Sequence, residues 1–294
     1  PPIDQTPEFT IFGEFVDTET GIDFIHDMPG DGYRSPLALA YPIEAINWDR
    51  GFVVSADPAL GVGGDYSAAH ILTYSEDGTP EIVGYYRSNT VEPADWAGTL
   101  DTIGRFFAGG NQVAALMVIE NAGGIGVSII EKLRNQYNYP NLYRYVPPAV
   151  AKKRRAPVFG FPTTRITKPM IVNRLAEFIA PDDNGQAKID NIYPELRDEL
   201  STFVRRENGT TAADIGCKDD LVMSLAIGLH VMLEEVQPVG IKTISETNEL
   251  GDVRLDMDAL YGEVNLIRRI EEKQNRKYWA NYRRIARRNR RRNG

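Results

Sequence analysis

Residues 113–120, VAALMVIE, form an apolar run without polar alternation that ends in the acid Glu120. Such a run is typical of a strand buried on both faces, as in a parallel sheet covered by helices. Residues 52–57, FVVSAD, repeat the pattern and end in Asp57. In chain order, the periodicity predicts strands at 52–57, 67–75 and 81–89, a helix at 94–107, the strand at 113–120, a helix at 127–137 and a strand at 141–146.

This order of elements predicts an α/β fold in which helices flank a mixed central sheet. Further helical patterns occur at 170–179, 194–204 and 219–235. The first fifty residues lack clean periodicity and are rich in Pro, Gly and Asp. We therefore divide the chain into an N-terminal arm or linker remnant at 1–50, a folded domain at 51–236, and a linker with a basic C-terminal tail at 237–294.

Composition excludes several classes of protein. The chain has 294 residues and a single cysteine, Cys217, which excludes a disulfide framework and a four-cysteine zinc site and suits a reducing compartment. No apolar run approaches the roughly 20 residues that cross a bilayer, and the first residues have no signal-peptide pattern. We expect an intracellular protein without a membrane partner.

Charge is distributed unevenly along the chain. The net charge is −8, but residues 268–294 hold 12 Lys or Arg and 2 Glu, which gives this tail +10 and the rest of the chain −18. Because residues 1–267 are so acidic, they should be repelled by nucleic acid unless cations or local basic patches reduce the repulsion. The basic tail should instead be attracted to nucleic acid, with a disordered segment that has no such role as the alternative.

Acids stand where the predicted apolar elements end or begin. Asp57 and Glu120 terminate two strands, and Asp219 with Asp220 opens the last helix. If the two strands are neighbours, both acids emerge at one edge of the sheet, and the start of the helix can bring its own acids towards them. Converging carboxylates repel each other, and a hard divalent cation with oxygen ligands relieves that repulsion. Each acid alone also has a structural interpretation, as a turn cap, a solvated loop residue or a helix N-cap.

The glycine-rich segment 61–65, GVGGD, precedes a strand and lacks the Lys and Ser or Thr of a phosphate-binding loop. We interpret Asp65 as a fourth carboxylate carried by a flexible loop, with a turn residue as the alternative. The three histidines lie before or inside predicted elements and are interpreted as packed or solvated, not catalytic: His26, His70 and His230.

Three segments resemble the acidic motifs of the nuclease domain of tailed-phage large terminase subunits, the DNA-packaging enzymes. They are 55–69 (SADPALGVGGDYSAA), 116–133 (LMVIENAGGIGVSIIEKL) and 199–229 (ELSTFVRRENGTTAADIGCKDDLVMSLAIGL). They follow the family's order between about residues 52 and 235, and the third is the most distinctive. One departure is Lys218, since relatives often carry His directly before the acid pair.

The resemblance implies a ribonuclease H-like fold and a site that binds Mg²⁺ or Mn²⁺ and cuts double-stranded DNA by two-metal phosphodiester hydrolysis. The implied metal-binding and catalytic residues are Asp57, Asp65, Glu120, Asp219 and Asp220. We favour Asp220 over Asp219 as the principal ligand, with Asp219 as an auxiliary ligand or cap. Lys218 cannot ligate a metal, so we expect it to contact phosphate or to lower local metal affinity.

Such subunits also carry an ATPase motor domain on the N-terminal side. No GxxxxGK[ST] motif occurs in this chain, so we do not expect it to hydrolyse ATP by that route. Its start at Pro1 fits a fragment that begins after the motor. The implied partners are double-stranded DNA, the motor domain, and possible portal and small terminase subunits, all in the cytoplasm of the infected host.

Basic residues are candidates for contacting the DNA backbone without reading its sequence. The predicted set is Lys152, Lys153, Arg154, Arg155, Arg165, Lys168, Arg205, Arg206 and Lys218. Two other functions stay open: a Holliday-junction resolvase or transposase-like nuclease of the same fold, and a noncatalytic DNA-binding or capsid-docking module whose acids bind only structural metal.

Overall fold

The computed structural model describes residues 11–18, 21–27, 34–110, 112–121, 123–147, 156–181, 185, 187–206 and 210–236. Within them, seven strands form the central sheet: β1 (Ile11–Asp17), β2 (Ile22–His26), β3 (Leu37–Leu39), β4 (Val53–Asp57), β5 (Ser67–Tyr74), β6 (Pro80–Ser88) and β7 (Leu116–Ile119). The helices are α1 (Pro93–Phe106), α2 (Gly124–Asn135), α3 (Thr167–Ile179), α4 (Pro194–Thr202) and α5 (Asp220–Glu235), with a short 3₁₀ helix at Ile43–Ala45.

The strand order is β2-β1-β3-β6-β5-β4-β7, and the sheet is mixed, as predicted. β4 pairs in parallel with β7 and antiparallel with β5. The parallel connection runs through α1, because parallel neighbours need a crossover that returns the chain to the starting edge. The two apolar runs that the sequence marks as buried strands are therefore neighbours at one end of the sheet, where β7 is the last strand and β4 lies beside it.

Alternating side chains build a core on each face of the sheet. Val54 and Ala56 pack on the face that α1 and α2 cover. Val53 packs with α5 on the other face, and α3 and α4 belong to the same layer as α5. Because successive side chains of a strand point to opposite faces, Asp57 lies on the same face as Val53, towards α5.

Helix α5 is apolar on all sides because it lies between the sheet and the other helices of its layer. Every residue from Leu221 to Met232 is buried, as expected for a helix without a solvated face. Its approach to the sheet is close at Gly228, where an added Cβ would lie 2.7 Å from the Cβ of Ser55 and 2.8 Å from Cδ1 of Leu72.

The N-terminal residues differ from the expected arm. β1, β2 and β3 extend the sheet, with β3 paired to β6. The sequence signal is weak because β3 has only three residues and because Gly13 interrupts β1, where an added Cβ would overlap the carbonyl oxygen of Ile25. Short edge strands carry little periodicity, and tertiary pairing decides their conformation.

The segment predicted as a strand at 141–146 does not form one more full strand of the sheet. Arg144–Tyr145 (β8) pairs with Val158–Phe159 (β9) in a separate two-stranded sheet. Two short segments, around Tyr143 and around Phe161, instead pair with the outer edge of β7. The N–H of Tyr143 donates to the carbonyl oxygen of Met117, and the N–H of Phe161 donates to that of Ile119. The chain changes partner after Tyr143, which ends the pairing with β7.

The helix predicted at 194–204 also ends early. α4 stops at Thr202, and Phe203–Arg205 (β10) pairs with Thr211–Ala213 (β11) in a hairpin. An aromatic and a β-branched residue favour the extended conformation here. Of the helices described, none combines the length and apolar character that crossing a bilayer requires.

His70 is a packed residue, as predicted, and it links three elements inside the α5 layer. Its Nε2 lies 2.7 Å from the hydroxyl of Tyr193, and its Nδ1 lies 2.8 Å from Oγ of Ser224. Burial lowers the pKa of His70 to about 3. The neutral ring therefore accepts from Tyr193 and donates to Ser224, whose hydroxyl donates to the carbonyl of Leu221.

We expect Gly228→Ala to lower the free energy of unfolding by about 1–3 kcal/mol, because the added methyl group overlaps Ser55 and Leu72. The intrinsic helix preference of Ala, worth about 1 kcal/mol, should only partly offset this. Urea unfolding measures the change. Gly124→Ala in α2 is the matched control, since nothing lies within 4 Å of its added Cβ. Equal losses in both variants would contradict the close packing of α5 on β4.

We expect His70 to make stability depend on pH below its ordinary pKa. The folded pKa, about 3, is lower than the ordinary value of 6.5, so the unfolded chain binds the proton first and stability falls as the pH drops from 6.5 towards 3. The slope should approach about 1.4 kcal/mol per pH unit. In His70→Gln this slope is absent, so the stability gap between parent and variant should shrink from pH 7 to pH 5 in urea titrations. A constant gap would show that His70 has the same pKa in the folded and the unfolded chain, which would contradict its burial as a neutral ring.

Candidate active site

Asp57 and Glu120 lie side by side at the ends of two parallel strands. The register places Ala56 opposite Ile119, and the backbone N–H of Glu120 donates to the carbonyl oxygen of Ala56 at 2.9 Å. Val118 packs in the α5 layer, so strand alternation puts Glu120 on the same face as Asp57. The two carboxyl groups are close enough for Glu120 to raise the pKa of Asp57, through its charge and a side-chain hydrogen bond.

Asp220 reaches this pair from the first residue of α5. Its Oδ2 accepts a hydrogen bond of 3.0 Å from the backbone N–H of Tyr66, which ties the start of α5 to the loop between β4 and β5. At the other end of that loop, the N–H of Ala59 donates to Oγ of Ser67 at 3.1 Å, which draws the two ends of the loop together. It passes close to the chain at Gly61, where a Cβ would lie 2.1 Å from the carbonyl oxygen of Val91.

Lysine side chains pair with the two remaining acids. Lys218 donates to Oδ1 of Asp65, and Lys168, from the first turn of α3, lies 3.6 Å from Oδ2 of Asp219. Asp65 is exposed, whereas Asp219 is partly buried. The five carboxylates predicted from the sequence thus converge, with two ammonium groups among them.

The charges of these acids also act on one another. Burial raises the pKa of Asp57 well above its ordinary value, and the charge of Glu120, the hydrogen bond with Glu120 and the charges of Asp220 and Asp219 raise it further. Burial also raises the pKa of Asp220, from 3.8 to about 6. The hydrogen bond from Tyr66 and the charge of Lys218 lower that pKa, while Asp65 and Asp219 raise it.

Each acid therefore has a partner other than a metal ion: a neighbouring carboxyl, a backbone N–H or a lysine. Within the described ranges, no group of three or more His, Cys, Asp or Glu side chains is arranged so that it could hold a metal ion without rearrangement. The donor chemistry nevertheless fits a hard divalent cation, because all the groups that converge are carboxylates.

The predicted basic residues occupy several positions around the site. Arg165 is exposed just before α3, and Arg205 and Arg206 are exposed in the hairpin of β10 and β11. Arg206 also donates to the carbonyl of Ala213 at 3.1 Å. Lys168 and Lys218 contact acids of the site, as above. The run Lys152, Lys153, Arg154 and Arg155 and the basic tail lie outside the described residues.

Sequence reasoning missed Glu199 on α4 and Arg87 at the end of β6. Glu199 is buried, 5% exposed, and its Oε2 accepts from the N–H groups of Leu221 and Val222 at 2.8 and 3.3 Å. A signal was available, because Glu199 stands three residues after the buried Leu196 and so lies on the apolar face of α4. A charged residue at such a position needs a buried partner.

Comparison with known proteins gives the family. A model described as the terminase RNaseH-like domain matches residues 54–230, which include Asp57, Glu120 and Asp220. The chain belongs to this family. The predicted ribonuclease H-like fold of the domain is thereby confirmed, with its mixed seven-stranded sheet and flanking helices.

One similar solved structure is the crystal structure of the large terminase nuclease from the thermophilic phage G20c with bound magnesium. It is 19% identical to this terminase domain over 78% of this chain and 98% of that chain, with a TM-score of 0.45. A search of curated proteins finds no match.

We expect Asp57→Asn to raise the free energy of unfolding by about 1 kcal/mol or more at pH 8 without divalent metal, because it removes one of the mutually repelling charges. The Asn amide can still donate to Glu120. Asp95→Asn is the contrasting control, since Asp95 stands in the first turn of α1, where a negative charge is stabilising, so stability should fall slightly. Thermal unfolding in EDTA compares the variants, and a loss of stability in Asp57→Asn would contradict the convergence of charge.

Proposed function

We propose that this chain is a divalent-metal-dependent endonuclease that cuts double-stranded DNA, the phage genome concatemer, during packaging. The observation that carries the proposal is the meeting of Asp57, Glu120 and Asp220 at the sheet edge of a terminase RNaseH-like domain. Carboxylates from three separate elements are brought together at the expense of electrostatic repulsion. Such an arrangement is characteristic of functional sites, because a fold gains no stability from it.

Asp57, Glu120 and Asp220 would hold the metal, with Asp219 and Asp65 able to contribute once their lysine pairs open. Mg²⁺ and Mn²⁺ both prefer oxygen ligands of this kind. When bound, such an ion supplies Lewis acidity towards a phosphodiester and makes water a stronger nucleophile, and a two-ion site does so for both the attacking and the leaving oxygen.

Backbone groups of this domain orient those carboxylates. The Tyr66 N–H fixes one oxygen of Asp220, and the backbone bond from Glu120 to Ala56 fixes the spacing of the two strand-end acids. Lys168 and Lys218 neutralise part of the negative charge that would otherwise repel a DNA phosphate. If Asp219 and Asp65 contributed to a bound metal, the ammonium groups of Lys168 and Lys218 would be free to contact DNA phosphates.

Further cations would extend the contact along the duplex. Arg165, Arg205 and Arg206 are exposed on elements that adjoin the acids, and we include Lys152, Lys153, Arg154 and Arg155 in the proposal. Contacts of this kind read the DNA backbone, not its sequence. We also propose that the domain acts with an ATPase motor domain, portal protein and small terminase subunit in the cytoplasm of the infected host cell.

We expect the chain to nick and linearise supercoiled plasmid with Mg²⁺ or Mn²⁺ and to be inactive in EDTA. Asp57→Asn and Glu120→Gln should each lower the cleavage rate by at least about 100-fold, since losing a metal ligand costs more than losing one of its supporting hydrogen bonds. Gel electrophoresis of the plasmid over time measures the rate.

Asp77→Asn is the control, because Asp77 lies in the exposed turn between β5 and β6 at the opposite end of the sheet. It should cut like the parent. Binding of DNA without cleavage under either metal would instead favour a noncatalytic module. Preferential cutting of four-way junctions over linear duplex would favour a resolvase.

A further inference from the structure

Helix α5 is capped by a different element of the chain. Its N-cap residue is Asp219, whose side chain makes no capping hydrogen bond. The first N–H groups of a helix have no partner within the helix and need an acceptor. Here Glu199 of α4 accepts from Leu221 and Val222 through one oxygen. The side chain of Asp219 therefore does not cap the helix, and it forms an ion pair with Lys168 instead.

The second oxygen of Glu199 continues the network. Arg87 donates to it from Nη2 at 3.1 Å, and the guanidinium of Arg87 lies 3.8 Å from the centre of the Tyr66 ring. The backbone N–H of Tyr66 in turn donates to Asp220. These contacts form a closed circuit from Asp220 through Tyr66, Arg87 and Glu199 back to the first turn of α5.

This circuit fixes Asp220 from two directions. Glu199 holds the peptide groups directly after Asp220, and Tyr66 holds its carboxylate. Because Glu199 is buried and hydrogen-bonded at both oxygens, it has little freedom to move. Burial raises the pKa of Glu199, and the charge of Asp220 raises it further, while Arg87 and the N–H groups of Leu221 and Val222 lower it and so stabilise its charged form.

We propose that Glu199, supported by Arg87, is a positioning residue that sets the place of Asp220 for metal binding. The proposal rests on the function proposed above. Glu199 does not touch the metal or the DNA, and its effect reaches the reaction through the first turn of α5. Supporting groups of this kind change metal affinity or activity by about 10- to 100-fold in other metal sites.

The test compares Glu199→Ala, which has no acceptor, with Glu199→Gln, whose amide oxygen can still accept from both N–H groups. In Glu199→Ala, hydrogen exchange in peptides covering 219–223 should be about 5- to 10-fold faster without metal. The Mn²⁺ concentration for half-maximal plasmid cleavage should rise about 10- to 100-fold, with an unchanged KM for DNA. Glu199→Gln should recover most of both losses.

Asp198→Ala is the matched control, because Asp198 is the exposed neighbour of Glu199 on α4, and it should behave like the parent. Unchanged exchange at 219–223 in Glu199→Ala, or an unchanged Mn²⁺ dependence, would overturn the positioning role. A general loss of packing would raise exchange throughout the α5 layer and would not be rescued by Glu199→Gln, and that result would also overturn it.

Two further measurements keep the outcomes separate. If Glu199→Ala does not fold, Arg87→Gln takes its place in the test. Faster hydrogen exchange in peptides covering 64–67, together with a higher Mn²⁺ requirement, would support the proposal. Values like those of the parent for both measurements would refute it. If the parent chain cuts no DNA with either metal, the proposed function fails, and Mn²⁺ binding by calorimetry with Asp220→Asn as the reference decides the positioning role. Equal binding by Glu199→Ala and the parent would then reject it.

Discussion

The hydrogen bond from the N–H of Glu120 to the carbonyl oxygen of Ala56 is the last rung of the parallel ladder between β4 and β7. Parallel strands end at the same edge of a sheet, and strand alternation turns the residue after each run to a defined face. Asp57 and Glu120 consequently meet on the face that α5 covers. Without the parallel pairing of β4 and β7, the start of α5 would lie beside one strand-end carboxylate instead of two. The other acids of the cluster would then have no fixed pair of carboxylates to pack against.

The acid cluster costs stability, and the surrounding core compensates for that cost. α5 is buried along twelve consecutive residues, from Leu221 to Met232, so its position is determined by packing on both sides and not by its polar first turn. A rigidly packed helix can present Asp219 and Asp220 at a fixed edge although the charges there repel each other. The same layer holds the buried circuits of His70 and Glu199, which add directional hydrogen bonds to an otherwise apolar contact.

Strands and helices with a clear apolar pattern can be predicted from the sequence. Elements whose conformation depends on contacts with distant parts of the chain cannot. The runs ending at Asp57 and Glu120 are apolar throughout, so their identity as buried strands follows from local pattern. Their neighbourhood was only a condition of the prediction, and the parallel pairing of β4 with β7 supplies it. The strands at 11–39 could not be predicted, because their pairing depends on β6 and on Gly13, which carries no apolar signal. The partner change at Tyr143 depends on Val158–Phe159, which lies in another part of the chain. Glu199 was missed because its role exists only once α4 and α5 meet.

The two edges of the sheet are unlike each other. Beside β7, backbone from residues 141–143 and 160–161 already occupies the ladder positions, so a foreign strand has no template there. At the opposite edge, β2 is the outermost strand of the described sheet, and Ile25 is 52% exposed on it. Among the described residues, the central sheet therefore offers an open edge for strand addition at β2, on the opposite side of the sheet from β4 and β7, whose ends carry Asp57 and Glu120.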